Sequence, residues 1–266
     1  MSNSAVPPGP ARPNLLTLIS VAVVACAAAD MVHEALGHGL ASWLTGDRIL
    51  SISTVAVQNA VANRFVAAAG TSANCLVGAL SFLLLRRAKA FTSSAYFLWI
   101  FGAFNLLNCG YFVVSAVLNS GDWANVIFDL SPPLLWRIVL GIAGVVLYTL
   151  SVRWAARSLL TLVGKGEVAV RDVQRLIVPA YVAGGVLLTG AAVFNPISPN
   201  LILLSGAGAS FGLNWALLLI PGIVAGNAPN SAPSATRSIP LSPLWLALAL
   251  VVALSFIAIL GRGIRF

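Results

Sequence analysis

The sequence predicts an all-α fold: a polytopic bundle of about six or seven membrane-spanning helices, with a short strand or hairpin after the first. Three observations predict it. Of 266 residues, 59% are apolar and 8% charged, and mean hydropathy is +0.95, a balance that excludes a water-soluble globule. The apolar residues fall in uninterrupted runs near the about 20 residues a helix needs to cross the hydrocarbon, which favours helices over barrel strands. Basic residues cluster between the runs, so the net charge of +8 belongs to loops facing anionic lipid and not to a nucleic-acid surface. A lipid bilayer is the expected surrounding, no nucleic-acid partner is expected, and the expected location is a multi-pass place in the cell membrane.

Residues 1–14 carry Pro7, Pro8, Pro10 and Pro13 and read as a disordered polar tail. Spans are expected at Leu15–Leu44, Val66–Leu85, Phe91–Leu118, Ile138–Val152, Leu176–Phe194, Leu201–Val224 and Leu241–Leu260, the fourth continuing past Arg153. A cleavable leader is the weaker reading of the first run, which continues into Asp30, His33 and Glu34 without a clear small-residue cleavage site. Between Asp47 and Arg64 the stretch Leu50 to Val57 largely alternates and is rich in branched residues, which predicts a strand or hairpin beside the bundle. Gly226 to Ser238, with Pro229 and Pro233, reads as a flexible linker. Cys26, Cys75 and Cys109 are odd in number and far apart, so each reads as a core residue and no disulfide framework is expected.

Arg86, Arg87 and Lys89 form one basic loop, and Arg153, Arg157, Lys165, Arg171 and Arg175 dominate another. The positive-inside rule puts both in the cytoplasm, and seven spans then put the carboxyl terminus outside, together with Arg262 and Arg265.

Two histidines are present, and both fall in His33-Glu34-Ala35-Leu36-Gly37-His38, late in the first apolar run. Ionisable groups inside a membrane helix cost at least about 2.5 to 3.5 kcal/mol on insertion scales and mark polar sites within a bundle. One reading is packing, with imidazoles bonded to backbone or neighbouring acids. The other is a divalent metal, since imidazoles bind zinc and a neighbouring carboxylate can take a proton from water. Histidines five apart diverge by about 140° on a regular helix, so sharing one ion demands a widened π-turn or a break, which Gly37 would permit. Asp30, Glu34 and His38 instead fall at four-residue steps on one face, leaving a geometry in which Glu34 or Asp30 is a ligand. Asp122, in Asn119-Ser120-Gly121-Asp122-Trp123, is either a third ligand or a cap on the next helix.

These segments resemble the site-2 protease family of intramembrane zinc metalloproteases. Leu36-Gly37-His38-Gly39-Leu40 is similar to the run that ends its histidine motif, and Ala67-Ala68-Ala69-Gly70-Thr71-Ser72-Ala73-Asn74 to the start of its next helix. Asn105-Leu106-Leu107-Asn108 and Gly121-Asp122 look like its Asn-x-x-Pro and Asp-Gly elements, with Asn108 in place of proline and Trp123 in place of glycine. His33 to His38 has one residue more than the family's HExxH, and resembles the six-residue zinc motif of the soluble dipeptidyl peptidase III family. The match covers roughly Val21 to Val126. It implies a catalytic core over residues 15–130, followed by additional transmembrane helices over 131–266.

The implied activity is hydrolysis of peptide bonds in membrane-protein or peptide substrates. Zn2+ would be held by His33, His38 and Asp122, with Glu34 activating the zinc-bound water. Asn74 and Asn105 would bind substrate backbone or the oxyanion, unless they pair between helices. The family usually places its motif toward the cytoplasm, whereas the charge pattern points this end outward. A rhomboid-like serine site at Gly208-Ala209-Ser210-Phe211-Gly212 is excluded because no histidine follows it. The competing class is a transporter or a metal-binding pseudoprotease that uses Asp30, His33, Glu34 and His38 as an ion or proton relay, favoured if helices break at Asn195-Pro196 and Pro199.

Overall fold

The computed structural model describes residues 12–61, 63–229 and 235–266. Most of the expected N-terminal tail and the centre of the linker after Gly226 lie outside the described residues. Among the described residues seven helices are long and apolar enough to cross a membrane: α1 Leu15–Thr45, α2 Arg64–Arg86, α3 Ser93–Leu118, α5 Pro133–Gly164, α6 Val170–Ala192, α7 Ile202–Asn227 and α8 Pro243–Leu260. Between α3 and α5 lies the short α4, Asp122–Ile127. The expected all-α multi-pass bundle is therefore what the chain forms. The fourth expected span runs beyond Arg153, to Gly164, and starts earlier, on Pro133, where a missing N–H costs a helix nothing.

The expected hairpin is present. Strands β1 (Ile49–Ile52) and β2 (Val57–Asn59) pair antiparallel, Ile52 opposite Val57 and Ile49 opposite Asn59, with a bulge between Ile49 and Ser51. A third strand, β3 (Ile264–Arg265), pairs antiparallel with β1, giving the order β2-β1-β3 and leaving β2 at an edge. Asn195 to Pro199 is a loop joining α6 to α7 and not a break within a span. The Asn195 carboxamide oxygen accepts the N–H groups of Ile197 and Ser198, so the turn supplies its own hydrogen bonds.

The core sits around α1, which packs against α3, α6 and α8. Leu18, Val21, Ala22 and Ala25 of α1 are fully enclosed, the expected fate of a helix that is apolar all round. Small residues let the backbones approach: a Cβ on Gly184 in α6 would lie 3.1 Å from both the Cys26 sulfur and Phe104. Buried aromatic polar groups pin the neighbours. The Tyr96 hydroxyl donates to Leu176 O (2.7 Å), and the Trp99 indole N–H donates to Ala155 O (3.1 Å). Large apolar side chains of α5 and α8, among them Ile142, Val146, Leu250 and Leu254, remain on the outside, where acyl chains would meet them.

The bundle has two unlike ends. At one, Arg175 donates to Pro13 O (3.2 Å), the Phe91 N–H donates to the Glu167 carboxylate (2.8 Å), and the Arg237 N–H donates to Glu167 O (2.9 Å). These bonds gather the segments around Arg12, Arg86 to Lys89, Arg153 to Arg175 and Arg237, and with them most of the basic residues. The other end carries the three-stranded sheet and α4.

Candidate metal centre

Residues Val32–Gly39 of α1 form a π-helix, regular α-turns resuming at Leu40. With i→i+5 bonding, five residues make little more than one turn, so His33 and His38 come to one face of the helix, as their spacing demands. The four-step alignment of Asp30, Glu34 and His38 does not build a metal site: the donor cluster among the described residues is His33, His38 and Asp122.

Each imidazole is held from behind. His33 Nδ1–H donates to Asn74 Oδ1 (2.8 Å), and His38 Nδ1–H donates to Val66 O (2.7 Å), both acceptors belonging to α2. The Asn74 amide cannot turn the other way, because its nitrogen donates to Ala29 O (3.0 Å) and to Asn105 Oδ1 (2.8 Å). Asn105 in turn donates to Phe101 O (2.8 Å). Oxygen acceptors at both Nδ1 positions fix the tautomer and leave the Nε2 lone pairs facing forward. The two Nε2 atoms stand 3.3 Å apart, and Asp122 Oδ2 stands 3.1 Å from the first and 3.3 Å from the second.

With both rings neutral, three lone-pair atoms at this separation repel unless a proton or a metal cation lies among them. Bonds of about 2.0 to 2.2 Å in a tetrahedral set place donors about 3.3 to 3.6 Å apart, so the triangle is close to the size that takes one small metal ion with its fourth corner open. Gly70 supports the same reading. A Cβ there would lie 2.5 Å from His38 Nε2 and 2.8 Å from His33 Nε2, so any side chain would crowd both rings. The chain thus has a possible metal-binding site of two imidazoles and one carboxylate.

Asp122 reaches the site from α4. The chain leaves α3 through Asn119 in the left-handed conformation and Gly121 at φ +86°, and this reversal turns the carboxylate toward the imidazoles and away from a capping role. The Arg64 guanidinium donates to Phe128 O, and Arg137 donates to Ala116 O and Val117 O (2.8 Å each), tying both flanks of the reversal. Trp123 stacks on Phe112, ring centroids 4.0 Å apart.

The donors open on a cleft of about 310 Å³ shared with Glu34, Tyr111, Asn125 and the β2 residues Val57 and Asn59. Glu34 is buried, and its Oε2 has no hydrogen-bond partner. It also lines a smaller inner cavity of about 30 Å³ with Asp30, Thr54, Asn108 and Asn214, each of which directs a buried oxygen without a partner.

Asn74 and Asn105, expected to bind substrate or to pair between helices, are fully enclosed and do not line the cleft. Their carboxamides pair between helices in a chain of hydrogen bonds that runs from Phe101 O to His33. Tyr111, whose ring stacks on His33 at 5.5 Å and 26°, has no marker in the sequence beyond its place in the third span. Cys26 and Cys109 are buried, as expected of core residues, and Cys75 is half-buried; all three are free, with the sulfurs of Cys75 and Cys109 3.0 Å apart between α2 and α3. No protein-family model matches the chain, and neither a curated protein nor a solved structure does.

Proposed function

We propose that the chain is an intramembrane metalloprotease resembling the site-2 protease family, that its metal is zinc, and that it hydrolyses peptide bonds of membrane-spanning substrates. The observation that carries this reading is the convergence of His33, His38 and Asp122 beside an unpartnered Glu34 carboxylate in one cleft. Two imidazoles and a carboxylate suit zinc, which when bound supplies a Lewis acid that polarises a carbonyl and lowers the pKa of water toward about 7.

The chain's own residues do the rest. Glu34, with Oε2 bonded to nothing in the protein, accepts the proton of the attacking water and returns it to the leaving amine. Asn74, Asn105 and Val66 hold the imidazoles in the tautomer that keeps Nε2 free. The free edge of β2 borders the cleft through Val57 and Asn59, so an unwound substrate segment, which needs partners for its backbone within the membrane, gains them by adding a strand.

The test is Glu34→Gln in the full chain. Purified variant protein retains one zinc per chain, while cleavage of a co-expressed single-span substrate falls at least about a hundredfold. Cleavage at the unaltered rate would remove Glu34 as the base, and absence of zinc from the unaltered protein would remove the metalloprotease reading.

One observation favours the second reading, a relay. The inner cavity joins Asp30 to Glu34 through unpartnered oxygens, room for a small number of waters. On that reading, vesicles containing the protein pass protons or cations at a rate that Asp30→Asn abolishes, and tight vesicles discard it.

A further inference from the structure

A cavity larger than the cleft lies away from the metal donors. It is a groove of about 570 Å³ between the end of α2 and the second half of α5. Arg86, Arg153, Arg157 and Lys165 line it, and no acid does. Among the described residues none of these four side chains donates a hydrogen bond or joins an ion pair. Like charges at Arg153 and Arg157, one turn apart on the same face, repel and destabilise the helix unless an anion lies between them. The floor below is apolar, with Phe82 enclosed and Trp154 packed against it at 5.6 Å, and Leu150 leads outward along α5 to the exposed face of the bundle.

The depth of the groove follows from helix length. The 32 residues of α5 span about 48 Å, against about 30 Å of hydrocarbon. The uncharged run of α5 ends at Val152, so at this end Arg157 and Lys165 stand among headgroups, with Arg153 at the boundary and Leu150 on the acyl side. Cations at headgroup depth above an apolar slot match an amphiphile with an anionic head and a hydrocarbon tail.

We propose that this groove is a binding site for one anionic phospholipid, its phosphate held by Arg86, Arg153, Arg157 and Lys165 and one acyl chain lying against Phe82, Trp154 and Leu150. A free phosphate would use the cations alone. The continuous apolar path into the bilayer selects the lipid. The inference does not depend on the protease reading, because no residue of the groove touches the metal donors.

Trp154 provides the probe. The full-length protein is reconstituted in vesicles in which a fixed minor fraction of lipid is acyl-brominated, as either phosphatidylglycerol or phosphatidylcholine, and tryptophan quenching is compared. Brominated phosphatidylglycerol quenches in excess of brominated phosphatidylcholine, the excess disappears in Trp154→Phe, and in R153Q/R157Q its half-saturating fraction rises about tenfold or more. Millimolar inorganic phosphate at constant ionic strength leaves the excess in place. Equal quenching by the two lipids, an excess that survives in either variant, or its removal by inorganic phosphate would overturn the proposal. Circular dichroism and zinc content of both variants, unchanged from the parent, separate loss of the lipid from loss of the fold.

Discussion

Gly70 is the residue on which the geometry of the donors is most exposed to a single change. It sits beneath both imidazoles, and across from it a Cβ on Gly37 would collide with the Gly70 backbone, so α1 and α2 meet here with nothing between them. Gly70→Ala is expected to keep the bundle, because the added methyl meets rings that can rotate, yet to lower metal affinity by at least about tenfold, the scale of a disturbed ligand support. Metal content by mass spectrometry after dialysis against a weak chelator checks it, with helicity as the control. His33, Glu34 and His38 were legible in the sequence because two histidines and an acid crowd into six residues of an apolar run. Asp122 was legible as a candidate, and its alternative as a helix cap could be separated only by the direction of the carboxylate. Gly70, Asn74 and Tyr111 act through what lies across from them in space, and nothing in their local sequence carries that.

At the scale of elements, the spacing of the histidines required either a broken helix or a widened one, and the chain widens over Val32–Gly39. That requirement was readable from angular arithmetic; its resolution was not, because it depends on α2 supplying Asn74 and Val66 at the right height. The short α4 poses the complementary problem, since six residues cannot hold a helix in place by themselves. Arg137 of α5 supports it indirectly by covering the last carbonyls of α3, where a cation also suits the helix dipole. Arg137→Ala is expected to weaken metal binding about two- to fivefold, the equivalent of about 0.3 to 1 kcal/mol lost at a helix end. Titration with a competing zinc indicator measures this, and Arg153→Ala, at the far end of the same helix, leaves the affinity unchanged.

For the whole molecule, the seven spans were legible because run length and hydrophobic thickness are one quantity. The order in which the helices pack was not, because α1 is apolar on every side and its sequence cannot say which neighbour covers which face. The two basic loops meet in space, Arg86 facing Arg153 and Arg157 across one groove, so a single side of the membrane takes both. The metal donors, the sheet and β3 lie toward the opposite end. By the positive-inside rule the carboxyl terminus and the mouth of the cleft are then expected to face away from the cytoplasm. A reporter enzyme active only outside the cytoplasm, fused after Phe266, is expected to be active, and the same reporter inserted after Lys89 silent. The opposite pattern would reverse the orientation and bring the cleft to the side usual for the family it resembles.

The widened stretch of α1 holds one surplus residue, and such a surplus is portable: exchanging hydrogen bonds one at a time would carry it along the helix like a ruck in a carpet. Each step would swing one imidazole off the shared face by about 100°. An ion gripping both rings would act as a latch against that drift, so that loading the site and fixing the winding of the central helix would become a single event, felt by every neighbour that leans on it.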